Sequence, residues 1–248
     1  MDDDSVLEKY VKSAVGRDLV GNPDFLKYNR RVIDNVRNRV DIGQTYEKNN
    51  DYPFVDECRS HARRFNRAMT SENVIVLVHP FYLSVCRWNS LIDIQKSDLT
   101  DYKNKVFDLL NKRRSLDANI AIFDTAHFYA DCTSNLLKKG IVDAVYFTGY
   151  DNGVLEIKSD LEYFKDKNIF LGGAFNAKCL SRNITAFINE IGSEHVWALR
   201  DLILNHPDDY KSLKPKEIIY FTKNSNSIKN LSHDRIISSE MLSSMIGK

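Results

Sequence analysis

Residues 169–192 read IFLGGAFNAKCLSRNITAFINEIG, and the order of features in that stretch decides the fold class. Ile169-Phe170-Leu171 is a short, unbroken apolar run, too short for a helix and lacking the alternation of a half-exposed strand. Gly172-Gly173 punctuates it. A helical segment, Ala177–Ile191, follows and is closed by Gly192, the residue type favoured just past a helix end. Strand, tight turn and helix in immediate succession form one unit of an α/β protein.

The same unit recurs on either side. Val74–Val78, Ile120–Phe123 and Ala144–Phe147 are further short apolar runs rich in β-branched and aromatic residues, and Ile218–Phe221 is a fifth. Such runs are the mark of strands buried on both faces of a parallel sheet. Helical segments separate them: Leu99–Lys112, Ala130–Lys139 ending at Gly140, a short turn at Leu161–Lys165, and Glu194–Leu204 ahead of Pro207. The alternation predicts a doubly wound, mostly parallel sheet of about five or six strands in a three-layer α/β/α arrangement.

Three segments of different character follow from this. Residues 1–70 are a charged helical extension that packs on the main domain. Residues 71–223 are a Rossmann-like α/β domain, and residues 224–248 a tail that is partly helical or flexible. The extension carries rows of arginine (Arg30, Arg31, Arg37, Arg39, then Arg59, Arg63, Arg64, Arg67), offset by Asp24, Asp34, Asp41, Asp56 and Glu57. Charges so interleaved read as solvated helix faces and not as a phosphate-binding surface.

Composition narrows the partners. The 248 residues carry a formal charge of +1 and are 43% hydrophobic and 28% charged, which gives no electrostatic ground for a nucleic-acid partner. No apolar stretch approaches the length of a membrane span, and the acidic start Met1-Asp2-Asp3-Asp4 is the reverse of a secretory leader. Cys58, Cys86, Cys132 and Cys179 lie far apart with no paired spacing, so they read as reduced thiols in a cytoplasmic setting. A small-molecule ligand and self-association remain the open partner classes, and no cofactor is implied.

In open parallel sheets, ligands bind beyond the carboxyl ends of the strands, near the point where strand order reverses. Four sequences occupy those ends: His79-Pro80-Phe81-Tyr82, Asp124-Thr125-Ala126-His127, Thr148 through Asp151 to Gly153, and Gly172 through Asn176 to Cys179. The last is the most informative. Two glycines permit close backbone approach to a ligand, and the helix that follows directs its unpaired N–H groups at the same place. A cysteine near that helix start is expected to have its thiolate favoured by the helix dipole, as a nucleophile requires. The plainer reading is a small core residue, the usual fate of a free cysteine.

The stretch Ile169–Phe187 resembles the nucleophile-bearing segment of isochorismatase-like cysteine hydrolases. In that family a strand ends in glycine, and a turn of small residues leads to a cysteine, an aliphatic residue and an alanine-containing helix. Gly173, Cys179, Leu180 and Ala186 stand at the matching positions. The resemblance implies a doubly wound α/β fold, Cys179 as nucleophile, and the backbone N–H groups of Lys178 and Cys179 as an oxyanion hole. Where the family has an aspartate base at the end of the first strand, this chain has His79. The family's lysine has no counterpart (Lys139 and Lys158 are the nearest), and Asn176 stands where threonine or serine is common.

The leading expectation is therefore hydrolysis of a small amide or ester through Cys179, with His79 or Asp124 as base. Gly172, Gly173, Asn176, Lys178 and Asp151 would line the ligand site. Other readings stand beside it: a ligand-binding or interaction protein of the same fold without catalysis, or a divalent-metal hydrolase built on His79, Asp124, His127 and Asp151. An anion cradle at Gly172-Gly173 aided by Lys178 or Arg182 is a further one, although no Walker or G-x-G-x-x-G motif accompanies it.

Overall fold

The computed structural model describes residues 70–80, 93–124, 136, 140–148, 158–206 and 231–248. Six strands form a single sheet: β1 (Asn73–Val78), β2 (Asn119–Asp124), β3 (Ala144–Phe147), β4 (Asn168–Ala174), β5 (Val196–Leu204) and β6 (Ile236–Ile237). Their spatial order is β3-β2-β1-β4-β5-β6 and every pairing is parallel. The expected parallel α/β sheet is thus present. The chain builds outward from β1 in one direction through β2 and β3, then returns to build the other half from β4.

Residues alternate between the two faces, and each face has its own core. Ile75, Leu77, Ile120, Ile122, Val145 and Phe170 point to one side, where helix α1 (Asp93–Asn111) covers them with Leu99, Tyr102, Val106, Leu109 and Leu110. Val74, Val76, Ala121, Phe123, Tyr146, Ile169 and Leu171 point to the other. There helix α2 (Ser181–Ile191) presents Ile184 and Phe187, joined by Phe164 at the end of a 3-10 stretch, Lys158–Phe164. Helices on both faces explain why the central strands read as continuous apolar runs, for neither side of them meets water. Phe164 anchors the second core: its ring lies 5.8 Å from Phe123, 5.2 Å from Tyr146 and 5.2 Å from Phe187.

The segment Glu194–Leu204, expected to be a helix, is strand β5 preceded by a single 3-10 turn at Ser193–His195. Its sequence VWALRDLIL has apolar residues at spacings that suit either period, so local pattern could not choose. The open edge of β4 chooses, because pairing there satisfies the buried backbone of Val196–Ala198 and Ile203–Leu204. The expected strand at Ile218–Phe221 and all but the last residue of the extension 1–70 lie outside the described residues. So does most of the helix at Ala130–Lys139, although Leu136 is helical and buried and Gly140 has the positive φ (64°) of a helix-ending residue.

The C-terminal residues join the sheet. Ile236–Ile237 pair with Ala198–Leu199 as β6, and helix α3 (Ser239–Ile246) returns along the α1 face, burying Leu242 and Ile246. Ser238 caps α3 by accepting a hydrogen bond from the Met241 N–H at 3.2 Å. Trp197 stacks on Phe170 at 4.9 Å, and the Arg235 guanidinium covers its ring at 4.3 Å. Among the described residues no helix is long and apolar enough to cross a membrane.

Truncating Phe164, which is fully buried and touches three aromatic neighbours, should leave a cavity that the rigid sheet cannot close. Urea unfolding of Phe164→Ala should show a loss of about 3–5 kcal/mol.

Candidate functional site at the carboxyl ends of the strands

The order of the sheet reverses between β1 and β4, so their carboxyl ends flank the place where doubly wound folds bind ligands. Val78, the last residue of β1, pairs with Gly173 of β4. Gly173 has φ +119°, and a β-carbon built on it would lie 2.0 Å from the Val78 carbonyl oxygen and 2.6 Å from the Val78 nitrogen. Only glycine fits that position. Gly172 is tight on the opposite face, where a β-carbon would come within 2.9 Å of Leu202 Cβ.

His79 follows Val78 directly. It lies in the left-handed region at φ +44°, a conformation that histidine tolerates better than most residues. Its N–H extends the ladder by donating to the Phe123 carbonyl at 2.8 Å, and its ring Nε2 shares a 2.7 Å hydrogen bond with Thr148 Oγ1. Both side chains are buried. Burial lowers the imidazole pKa from 6.5 to about 4, so His79 is neutral at physiological pH.

Beyond Ala174, the last residue of β4, the chain turns away from the sheet. The Ala174–Phe175 peptide is cis, and residues Asn176–Leu180 form a wide π-type turn with a non-helical residue at Lys178. The regular helix expected from Ala177 begins only at Ser181. Asn176 donates from Nδ2 to Asn205 Oδ1 at 2.8 Å, and the Phe175 ring meets the edge of His206 at 4.7 Å. The strand ends of β4 and β5 are therefore tied together residue by residue.

Cys179 sits in that turn, one residue before the end of the π segment, and not in the first turn of α2. Its side chain is half-buried against the second core. Burial raises the thiol pKa. Arg182, backbone hydrogen bonds at Cys179 and Phe175, and Lys178 all act to lower it, but burial is the largest influence. The expectation that a helix dipole favours the thiolate is thus reversed here. The anticipated oxyanion donor at Lys178 is also engaged otherwise, since its N–H donates to the Phe175 carbonyl at 3.0 Å. The Lys178 side chain is exposed.

The structure thus brings His79, Gly172, Gly173 and Asn176 to one edge, with Cys179 in the adjoining turn. His79 is hydrogen-bonded to Thr148 and, among the described residues, makes no hydrogen bond to Cys179. Asp124 ends β2, opposite Phe147 of β3. Asp151 and His127 lie outside the described residues, within which no group of three His, Cys, Asp or Glu side chains is placed to hold a metal ion. Asn205 and His206 carry no signal in the sequence as long as the preceding segment has the pattern of a helix. As the polar pair closing a strand, they carry the same signal that singled out His79 and Asn176.

Of six buried polar side chains among the described residues, four (His79, Thr148, Asn176 and Asn205) belong to this edge. The others are Asn183, which donates to the Cys179 carbonyl at 2.8 Å, and Ser71 at the opposite end of β1. No family model matches the sequence, and no curated protein or solved structure gives a match either.

Gly173→Ala should destabilise the fold by at least about 2 kcal/mol, more than Gly172→Ala does, because it adds left-handed strain to a backbone collision. Paired urea melts would measure the difference. The neutral burial of His79 makes a second prediction. Above pH 6.5 the imidazole is uncharged in both folded and unfolded chains, whereas between about 4 and 6.5 only the unfolded chain takes up the proton. Stability should therefore fall as pH drops through that window, by about 3 kcal/mol in total. His79→Gln should flatten that part of the stability–pH curve.

Proposed function

We propose that this chain binds a small, uncharged, hydrogen-bonding molecule of the amide or ester class at the carboxyl ends of β1 and β4. The observation that carries the reading is the concentration of buried polar groups there: His79, Thr148, Asn176 and Asn205. Burying such groups costs free energy, so folds confine them to places that use them. All four are uncharged at neutral pH, and the Phe175 and His206 rings adjoin them. A neutral imidazole supplies both a donor and an acceptor, and amide and hydroxyl groups likewise supply both kinds, which suits a neutral carbonyl compound better than an anion. No described cation is buried among them.

A second reading, thiol-dependent hydrolysis, is favoured by the influences that act on Cys179. Arg182, Lys178 and the backbone at Cys179 and Phe175 all favour a thiolate. In that reading Cys179 attacks the carbonyl carbon, the leaving amine or alcohol takes up a proton, and water cleaves the thioester. The resemblance of Ile169–Phe187 to isochorismatase-like cysteine hydrolases supports this chemistry, with His79 in the place of the family's base. Burial of the thiol and the engagement of His79 with Thr148 favour binding without turnover.

Thermal melts with benzamide and acetamide, against benzoate and acetate at equal concentration, test the binding reading. The amides should raise Tm, by about 3 kcal/mol of stabilisation at a hundred times Kd, and the carboxylates should not. Equal stabilisation by carboxylates would overturn it. Iodoacetamide labelling separates the two readings: under simple binding, Cys179 labels with an apparent pKa above that of a free thiol. A value below it, with ester hydrolysis abolished by Cys179→Ser, would establish the hydrolase instead.

A further inference from the structure

Strand β5 is irregular where it passes the site. Leu171 pairs with Ala198 but Gly173 pairs with Ile203, so two steps along β4 span five along β5, three more than regular pairing needs. The surplus is a bulge that contains Arg200, Asp201 and Leu202. Beyond it the two strands are matched again: Gly173 with Ile203, Ala174 with Leu204, then Asn176 with Asn205 and Phe175 with His206 through their side chains. The register of that stretch depends on how many residues the bulge holds. A slip of one residue would exchange the faces of Ile203 and Leu204 and break every one of these contacts.

The bulge is fixed from outside the site. Asp201 accepts from the Ser239 N–H at 2.8 Å through Oδ1, and from the Ser239 hydroxyl at 2.6 Å through Oδ2. Both carboxylate oxygens are thereby committed to the first residue of α3, where a negative charge is also favoured by the helix dipole. On its other side the bulge bears on the site directly, for Leu202 lies against the backbone of Gly172. Neighbouring β6 is only two residues long and pairs with Ala198–Leu199, before the bulge, so it cannot set the register beyond it.

We infer that α3 is a latch for the site: through Asp201 it holds the β5 bulge, and through the bulge it fixes the turn that carries Phe175, Asn176 and Cys179. Displacement of α3, by a partner or by a modification of Ser239, loosens that turn without unfolding the sheet.

The reporter is Cys179, half-buried in the turn. Iodoacetamide labelling of the full chain at pH 9, read at Cys179 by peptide mass spectrometry, should accelerate about tenfold in Asp201→Asn and in Ser239→Ala. That is the change in local opening expected when one charge-assisted hydrogen bond is lost. Ser239→Thr, which keeps both donors, should label at the wild-type rate. Ile120→Ala in β2 serves as the control, since it removes core contacts far from the bulge and should lower overall stability without accelerating Cys179. Unchanged labelling in Asp201→Asn and Ser239→Ala would overturn the latch. So would acceleration of the same size in Ile120→Ala, which would trace exposure to global unfolding.

Discussion

Between Gly173 and Val78 the backbones of β4 and β1 approach so closely that no β-carbon can stand between them. The rest of the carboxyl edge follows from that contact. It keeps β4 paired to β1 as far as Val78, the last residue of β1, at the point where the order of the sheet reverses. After Gly173, at φ +119°, one more residue, Ala174, stays in the sheet before the chain turns away, and Phe175 and Asn176 then meet His206 and Asn205 past the end of β5 while Cys179 lies against the α2-side core. His79, held one residue beyond Val78 on the other strand, is turned by its own left-handed backbone toward Thr148. Two unusual backbone conformations on adjacent strands thus decide where the polar side chains of this edge point.

The central part of the fold was legible because burial on both faces leaves a simple mark. Val74–Val78, Ile120–Phe123, Ala144–Phe147 and Ile169–Leu171 are unbroken apolar runs, and each is the heart of a strand. The strand at Val196–Leu204 was not legible. It carries the polar pair Arg200-Asp201 in its middle, which gives its apolar residues a helix-like spacing, and that pair lies in a bulge that no local pattern announces. Nor was β6, where two isoleucines form a strand only because Ala198 and Leu199 present a free edge.

The site divides in the same way. Position was readable: glycines and polar residues after apolar runs mark the carboxyl edge, and His79, Gly172, Gly173 and Asn176 all lie there. Contact was not. The hydrogen bond between His79 and Thr148 joins residues 69 positions apart, and its formation depends on β2 lying between their strands. Asn205 and His206 stand at this edge only because Val196–Leu204 is a strand. The Asp201–Ser239 contact, 38 positions apart, likewise depends on a bulge and a helix start meeting across a sheet edge.

The electrostatics of the edge turn on a competition that sequence alone cannot weigh. Near Cys179 the sequence places Lys178 and Arg182, and it places a helix just downstream, all favouring a thiolate. The fold packs the same side chain against the second core, and desolvation outweighs the cations. The exposure of Lys178 gives the reason: a charge surrounded by water is screened, whereas the loss of hydration at a half-buried sulfur is not. Desolvation acts in the opposite chemical sense on His79, where it removes a positive charge instead of a negative one. One physical effect therefore favours the neutral form of both groups. A neutral thiol, a neutral imidazole, amides and a hydroxyl offer directed hydrogen bonds, and the proposal of an uncharged ligand rests on that.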